Sequence, residues 1–445
     1  MSDKMLRPEI EARSREDQRG RDDAQYRRQV AYLFERSPFY RDKLCEAGFY
    51  DASAVGGLDD IARLPLTEKD EIRQSQAAEP PFGRHLAADP AKIVRVFSTS
   101  GTTGDPCYMP VTAADLEMWI ENSARSYHAA GIRSGMRVLT TYNAGPFAAG
   151  AALDTMAKLG VCHIPVGLGN TARLVRALQL IRPEALMCTP SYAVYLVEHL
   201  RGLGIDPASL GVQRICVAGE PGGGEAELRG RLEGAWGAKL CEAMGIGDVS
   251  VSLWGECEEQ AGMHFNGADN VHVELIDPET GDPVPLRDGA TGELVYTALH
   301  REAVPVLRFR SRDHVVCQMS SCRCGRTTMR VRCIGRTDDM VIVRGVNLFP
   351  SAVRAVVAQF APRVSGAIVV RPLVRGVRQE PPVPVYVELG PDGGGEGLAG
   401  EIEATVRATL VATVRVMLVP FNSLGRSEYK TKLLDFSDAA AGGHA

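Results

Sequence analysis

Residues 185–220, ALMCTPSYAVYLVEHLRGLGIDPASLGVQRICVAGE, decide the fold class. The apolar run ALMCT reads as a strand, the stretch from Ser191 has the apolar spacing of a helix, and RICVAGE returns to an extended run ending in a turn signal. The same alternation precedes it. RVLTTY (137–142) is extended, a Gly/Ala-rich turn leads into a helix over 145–159, CHIPV (162–166) is extended, and NTARLVRALQLI (170–181) is helical. Strands alternating with helices of about ten to fifteen residues predict an α/β body of mainly parallel sheets packed with helices.

Outward from this segment the texture changes twice. Toward the start, DDAQYRRQVAYLFERSPFYRDKLCEAGF (22–49) has helical spacing interrupted near Ser37-Pro38, and Thr112 is the expected N-cap of the helix in TAADLEMWIENSARSYHAAG (112–131). Toward the end, residues 271–343 are short β runs broken by Gly and Pro. A break follows GRTDD (335–339), then 341–388 mixes strands with a helix. PDGGGEGLAG (391–400) reads as a surface loop and 401–410 as a helix. The expected organisation is a large body over residues 1–337, including the β region, and a small mobile α+β domain over 338–445.

Composition narrows the function classes. The 445 residues are 45% hydrophobic and 24% charged, an ordinary globular balance, with a formal net charge of −5. No basic field advertises nucleic acid or an anionic membrane, and no apolar run is long enough to span a bilayer. The first thirty residues are charged and lack a signal-like apolar stretch. The expectation is a cytoplasmic protein whose eleven cysteines are reduced, serving as buried thiols or metal ligands. Lysine is scarce: none occurs between Lys239 and Lys430.

FSTSGTTGDPCYMPVT (97–112) is the most distinctive loop. Glycines let backbone approach a ligand closely, and N–H groups with Ser/Thr hydroxyls suit phosphate oxygens. A Walker loop needs Gly-Lys-Ser/Thr leading into a helix. Here Gly104 is followed by Asp105-Pro106 and an extended run, so that reading fails. By itself the stretch is equally a hairpin turn.

Taken in order, RRQVAYLFERSPFYRDKL (27–44), STSGTTGDP (98–106), TPSYAVYLVEHL (189–200), VAGEP (217–221), VPVLRFRSRD (304–313), IGRTDDMVIVRGVNLFP (334–350) and GRSEYK (425–430) resemble the phenylacetate CoA ligase family of the adenylate-forming enzymes. The resemblance implies two half-reactions. A carboxylate and ATP give acyl-AMP and pyrophosphate, and the thiol of coenzyme A then displaces AMP. It implies that Ser98, Thr99, Ser100, Gly101, Thr102, Thr103 and Gly104 cradle the β- and γ-phosphates, and that Gly219, Glu220 and Pro221 lie on the adenine side. Asp313 would take the ribose hydroxyls as an acceptor-only carboxylate. Arg336 would lie near ribose and phosphate, with Asp338 as the hinge. Arg344 and Gly345, in RGVN (344–347), would line the pantetheine tunnel.

MGIGD (244–248) departs from the family pattern. Met244 stands where an aromatic residue stacks on adenine, Gly245 is retained, Gly247 lacks a hydroxyl, and Asp248 replaces a longer glutamate as the magnesium-facing acid. Lys430 matches the lysine that bridges carboxylate and α-phosphate during adenylation, with Lys432 as the neighbouring competitor. Small residues around Tyr142, Ala148, Gly219 and Gly245 suit a flat slot for an aromatic acid, benzoate-like (including anthranilate) or phenylacetate-like. Close helix-on-sheet packing accounts for them equally.

Cys257 and His264 in ECEEQAGMH, with Cys322 and Cys324 in SCRCG, offer three thiolates and an imidazole, the ligand set of a closed structural zinc centre. Reduced cysteines in β loops are the competing reading. Some members of the family carry a similar pair of motifs, which implies zinc. Cys317 and Cys333 read as core, though either could substitute in the ligand set.

Three functions are compatible with this sequence: an aryl-CoA ligase, an adenylating enzyme that loads a carrier-protein thiol, and a non-catalytic binding relative. Retention of Asp248, Asp313, Arg336 and Lys430 argues against the third, and no carrier sequence is fused here. The expectation is an AMP-forming acid–thiol ligase using ATP, Mg2+ and coenzyme A, with a homodimer and a downstream acyl-carrier protein left open.

Overall fold

The computed structural model describes residues 4–99, 107–142, 150–167, 169–344, 346–375, 377–393, 395–425, 433–437 and 439, with backbone alone at Asn347. The alternating segment forms five neighbouring parallel strands, Cys162–Pro165, Arg137–Thr140, Ala185–Cys188, Arg214–Val217 and Lys239–Ile246. Their side chains alternate between two apolar layers. Leu186, Ile215 and Leu240 join Leu174, Leu196, Leu200 and Trp236 on one face. Met187, Cys216 and Cys241 join Tyr127, Met156 and Leu159 on the other. Because both faces are covered, the strands read as continuous apolar runs.

Helix boundaries follow local chemistry. Thr112 and Asp115 form a capping box at the start of Ala113–Ala129. Ser37 closes Arg15–Arg36 and caps Pro38–Glu46, where Pro38 occupies the first turn. The helix Leu398–Leu410 begins inside the expected glycine-rich loop. Ala226–Trp236 is a helix that the sequence pattern hid, since Gly230 and Gly234 each cost about 1 kcal/mol of propensity against Ala.

The β region does not form a separate layer. Its strands continue the same sheet antiparallel, in the order Lys239–Ile246, Ser250–Glu256, Met263–Phe265, Arg330–Arg336, Phe309–Gln318, Thr291–Ala298 and Val271–Ile276. From Val341 onward two three-stranded sheets and the helices Pro350–Ala358 and Leu398–Leu410 surround an apolar cluster that includes Val353, Ile368, Val385, Ile402 and Leu434. Among the described residues, no helix is long and apolar enough to cross a membrane.

Candidate active site and Cys/His centre

The strand Phe309–Gln318 alternates buried and half-buried residues, and Asp313 occupies an inward position in line with Phe309, Val315 and Cys317. Ser311 and Asp313 are the polar residues at core-facing positions of this strand, and an inward carboxylate there makes Asp313 a candidate functional residue. Ladder register places Asp313 opposite Arg336. Arg336 Nη1 lies 3.3 Å from Asp313 Oδ1, while Nε and Nη2 donate to the two carboxylate oxygens of Asp338 at 2.9 and 2.8 Å. Burial pushes the Asp313 carboxyl up to about 6 and outweighs the opposing pull of Arg336. Three residues named from sequence therefore meet in one constellation.

The glycine-rich stretch 97–112 is flanked by the strands Ile93–Ser98 and Tyr108–Thr112, paired antiparallel with Ser98 opposite Tyr108. Thr99 N donates to Cys107 O at 3.0 Å and closes the base of the connection. Hairpin and ligand loop are thus compatible readings of the same residues. Ser100, Gly101, Thr102, Thr103, Gly104, Ala148, Gly345, Lys430 and Lys432 lie outside the described residues.

Gly219 follows the strand Arg214–Val217 with φ +98°, a conformation that favours glycine. Glu220 Oε1 accepts from Ser191 N at 2.7 Å, tying two strand-end loops together beside Pro221. Arg354, on Pro350–Ala358, donates to Pro221 O at 2.6 Å and to Glu225 Oε1 at 3.1 Å. Tyr142 is half-buried against the cluster of Tyr127, Met156 and Met187. Met244 packs partly buried beside Leu253 and Trp254, and a Cβ on Gly245 would come within 2.0 Å of Val251 O. Cross-strand contact alone therefore requires glycine at 245. Arg344 is exposed, with φ +49°, and its Nε lies 3.9 Å from Glu380.

Asp248 lies on the turn between Lys239–Ile246 and Ser250–Glu256 and is only 5% exposed. Lys69 Nζ sits 2.7 Å from its Oδ2, and buried Arg301 donates to its backbone carbonyl. A cavity of about 10 Å3 adjoins the carboxylate, lined among others by His85, Cys107 and Phe309. Neither Lys69 nor Arg301 stood out in the sequence, because their partner lies far along the chain and no local pattern encodes the pairing.

Cys257, His264, Cys322 and Cys324 come together with their ligand atoms within 4.8 Å of one another. Cys257 Sγ is 3.7 Å from Cys322 Sγ, and Cys324 Sγ is 3.3 Å from His264 Nε2. Sheet pairing unites the two halves. His264 sits opposite Arg330 on neighbouring strands, and the loop after Gln318 returns Cys322 and Cys324 to the same edge. The Cys257 contact, and then His264, lower the Cys324 thiol, while the same contact raises Cys257. Three thiols and an imidazole in mutual contact match the donor set of a tetrahedral divalent cation. His264 Nδ1 faces Thr328 Oγ1 at 3.4 Å, and Arg326 N donates to Cys324 Sγ at 3.5 Å. Arg326 also forms a buried ion pair with Glu11 at 2.7 Å. Cys317 and Cys333 stand outside the group, and all described cysteines are free thiols.

A family model described as AMP-binding enzyme matches residues 51–298. A phenylacetate-coenzyme A ligase of Thermus thermophilus is 36% identical across 95% of this chain and 97% of its own length. One of Pseudomonas putida is 31% identical over 90% of each. Among solved structures, 2-hydroxyisobutyryl-CoA ligase in the postadenylation state superposes with a TM-score of 0.89 at 29% identity, covering 97% of this chain and 92% of that one. The same ligase in its thioesterification state, with acyl-AMP and CoA, aligns at 0.72 over 98% and 92%. A benzoate CoA ligase from Burkholderia xenovorans, 19% identical with a TM-score of 0.55 over 73% and 65%, shares the fold. With identity running through nearly its whole length, the chain belongs to the phenylacetate-coenzyme A ligase family of AMP-binding enzymes.

Proposed function

We propose that this chain activates an aromatic carboxylic acid with ATP, releasing pyrophosphate, and transfers the acyl group from acyl-AMP to coenzyme A. The observation that carries the reading is the constellation of Asp313, Arg336 and Asp338. An ionised Asp313 accepts from both ribose hydroxyls, and Arg336 adds fixed positive charge beside them. Backbone N–H groups of the hairpin connection after Ser98 hold the terminal phosphates, with Gly219, Glu220 and Pro221 flanking adenine. Lys430 neutralises charge between acid and α-phosphate during the first step. The family's likeness to phenylacetate-coenzyme A ligases favours free coenzyme A over a carrier protein.

Residues 338–445 act as a lid that turns about Asp338 between the two steps. The apolar cluster confined to residues beyond Val341 supports a unit able to move as one body, and the neighbouring ligase, known in two states that align differently with this chain, supports the motion. Cys257, His264, Cys322 and Cys324 hold a structural zinc ion. Four protein ligands leave no open position for substrate.

The test is a panel of benzoate-type, phenylacetate-type and 2-hydroxy aliphatic acids, assayed for pyrophosphate release with and without coenzyme A and for thioester by mass spectrometry. Aromatic acids should give both products. Turnover restricted to 2-hydroxy acids would overturn the aromatic assignment in favour of the activity named for the structural neighbour. Pyrophosphate release without thioester would overturn coenzyme A as acceptor.

A further inference from the structure

Asp248 occupies the place where the family resemblance puts a magnesium-facing acid, and that carboxylate already has a cationic partner. Its carboxylate is buried and already lies 2.7 Å from Lys69 Nζ. The adjoining cavity of about 10 Å3 has room for about one water, whereas magnesium demands octahedral oxygen coordination and keeps several waters. Two cations grip this one turn. Arg301 holds its backbone from below, its guanidinium 5.3 Å over the Trp119 ring, and Lys69 holds its side chain. The pair lies at the base of the hairpin that carries the glycine-rich loop. Cys107, whose carbonyl closes that base, lines the same cavity, and both Asp248 and Lys69 act electrostatically on its thiol.

We propose that Lys69 is the resident counter-ion of Asp248, a positioning residue that keeps this carboxylate from taking up a divalent cation while no nucleotide is bound. The inference rests on the reading of the hairpin connection as the phosphate site. An ammonium in direct contact cancels most of the field that would attract a dication, and a metal entering here must first displace it. Lysine suits the task, since a compact charge on a flexible stem can let go when a metal arrives already carried by phosphates. Removing it leaves a buried carboxylate without its partner, for which a proton and a dication then compete.

The experiment uses Mn2+ as the probe on the zinc-loaded, nucleotide-free chain, followed by electron paramagnetic resonance. Wild type should bind no Mn2+ at this carboxylate. Lys69→Met should gain a site for one ion per chain, its affinity at least ~10-fold above the detection limit at which wild type shows none. Lys69→Arg should restore wild-type behaviour, and Lys69→Met combined with Asp248→Asn should lose the new site. Equal Mn2+ affinity in wild type and Lys69→Met, with matching melting curves, overturns the proposal. Should Lys69→Met fail to fold, wild type is compared with Asp248→Asn: Mn2+ bound by the former and lost in the latter overturns it, and no difference supports it. Since acid, ATP and coenzyme A are all absent, a failed ligation assay counts against the proposed function without altering this result.

Discussion

The two ends of one β ladder are built for opposite purposes. Strands Phe309–Gln318 and Arg330–Arg336 run side by side. At their turn end, Cys322 and Cys324 join Cys257 and His264, and the segment over residues 4–15 adds further ties. Arg326 pairs with Glu11, and Thr327 bonds to the carbonyls of Glu11 and Arg13. At the other end the ladder carries Asp313 and Arg336 and then runs into Asp338. Contacts between that end and the following unit include Ser351 Oγ to Ile334 O at 2.6 Å, the ring contact of His314 with Phe349, and Arg354 with Pro221 and Glu225. The ladder is tied at one end by the Cys/His group and its ion pair and carries Asp313 and Arg336 at the other; under the proposed function the tied end would keep that acid and arginine in place while residues 338–445 turn.

The sharpest way to break this comparison is at the proposed lid. Lys430→Ala should lower pyrophosphate release at least ~10²-fold, by analogy with removing an oxyanion-hole donor, while sparing thioester formation from supplied acyl-AMP. Wild-type pyrophosphate release would transfer the role to Lys432. Next is the fastened end. Cys324→Ser should reduce zinc, measured by elemental analysis, from one per chain to none and lower the melting temperature, yet preserve turnover per folded molecule. A large loss of turnover in folded protein would mean that the two ends are not independent.

A pH titration sharpens the free end. With the Asp313 carboxyl at about 6, adenosine affinity should be flat above that pH and fall by up to ~10-fold per unit below it, as the protonated acid turns one of its acceptor oxygens into a donor. Calorimetry from pH 5 to 8 reads the slope, and Asp313→Asn should be weak and pH-independent over that range. A persistent slope in the variant would assign the titration elsewhere. The smallest effect is expected at the contact between helix Pro350–Ala358 and the Pro221 loop. Arg354→Ala removes a charge-assisted contact of ~1.5 kcal/mol, enough to shift two arrangements ~10-fold at most, so thioester formation from supplied acyl-AMP should rise a few-fold. An unchanged rate would show that this contact does not hold the present arrangement.

Much of the architecture was legible because it is periodic. Alternation over residues 137–220, the Thr112 cap and the Ser37-Pro38 break became the expected elements within the described residues, the helix expected over 145–159 being Ala151–Leu159 with residues 143–149 outside them, since each depends on neighbours in sequence. The helix Ala226–Trp236 was hidden because its glycines weaken the local signal, and packing of Leu232 and Trp236 against the sheet offsets that weakness. Continuity of the parallel and antiparallel halves in one sheet was also invisible, because a change of strand direction leaves no mark on composition.

By itself the sequence determined the family, through motif order, and the identities of the Asp313, Arg336 and Asp338 cluster and of the four Cys/His residues. Only the tertiary structure decided that those four residues converge, that Gly245 is required by Val251, and that Asp248 is already held by Lys69. The reason is physical. Periodicity and capping act over a few residues and are written in the local pattern. Strand pairing and buried ion pairs join segments more than a hundred residues apart in cases such as Lys69 with Asp248, so their partners are chosen by the folded chain as a whole.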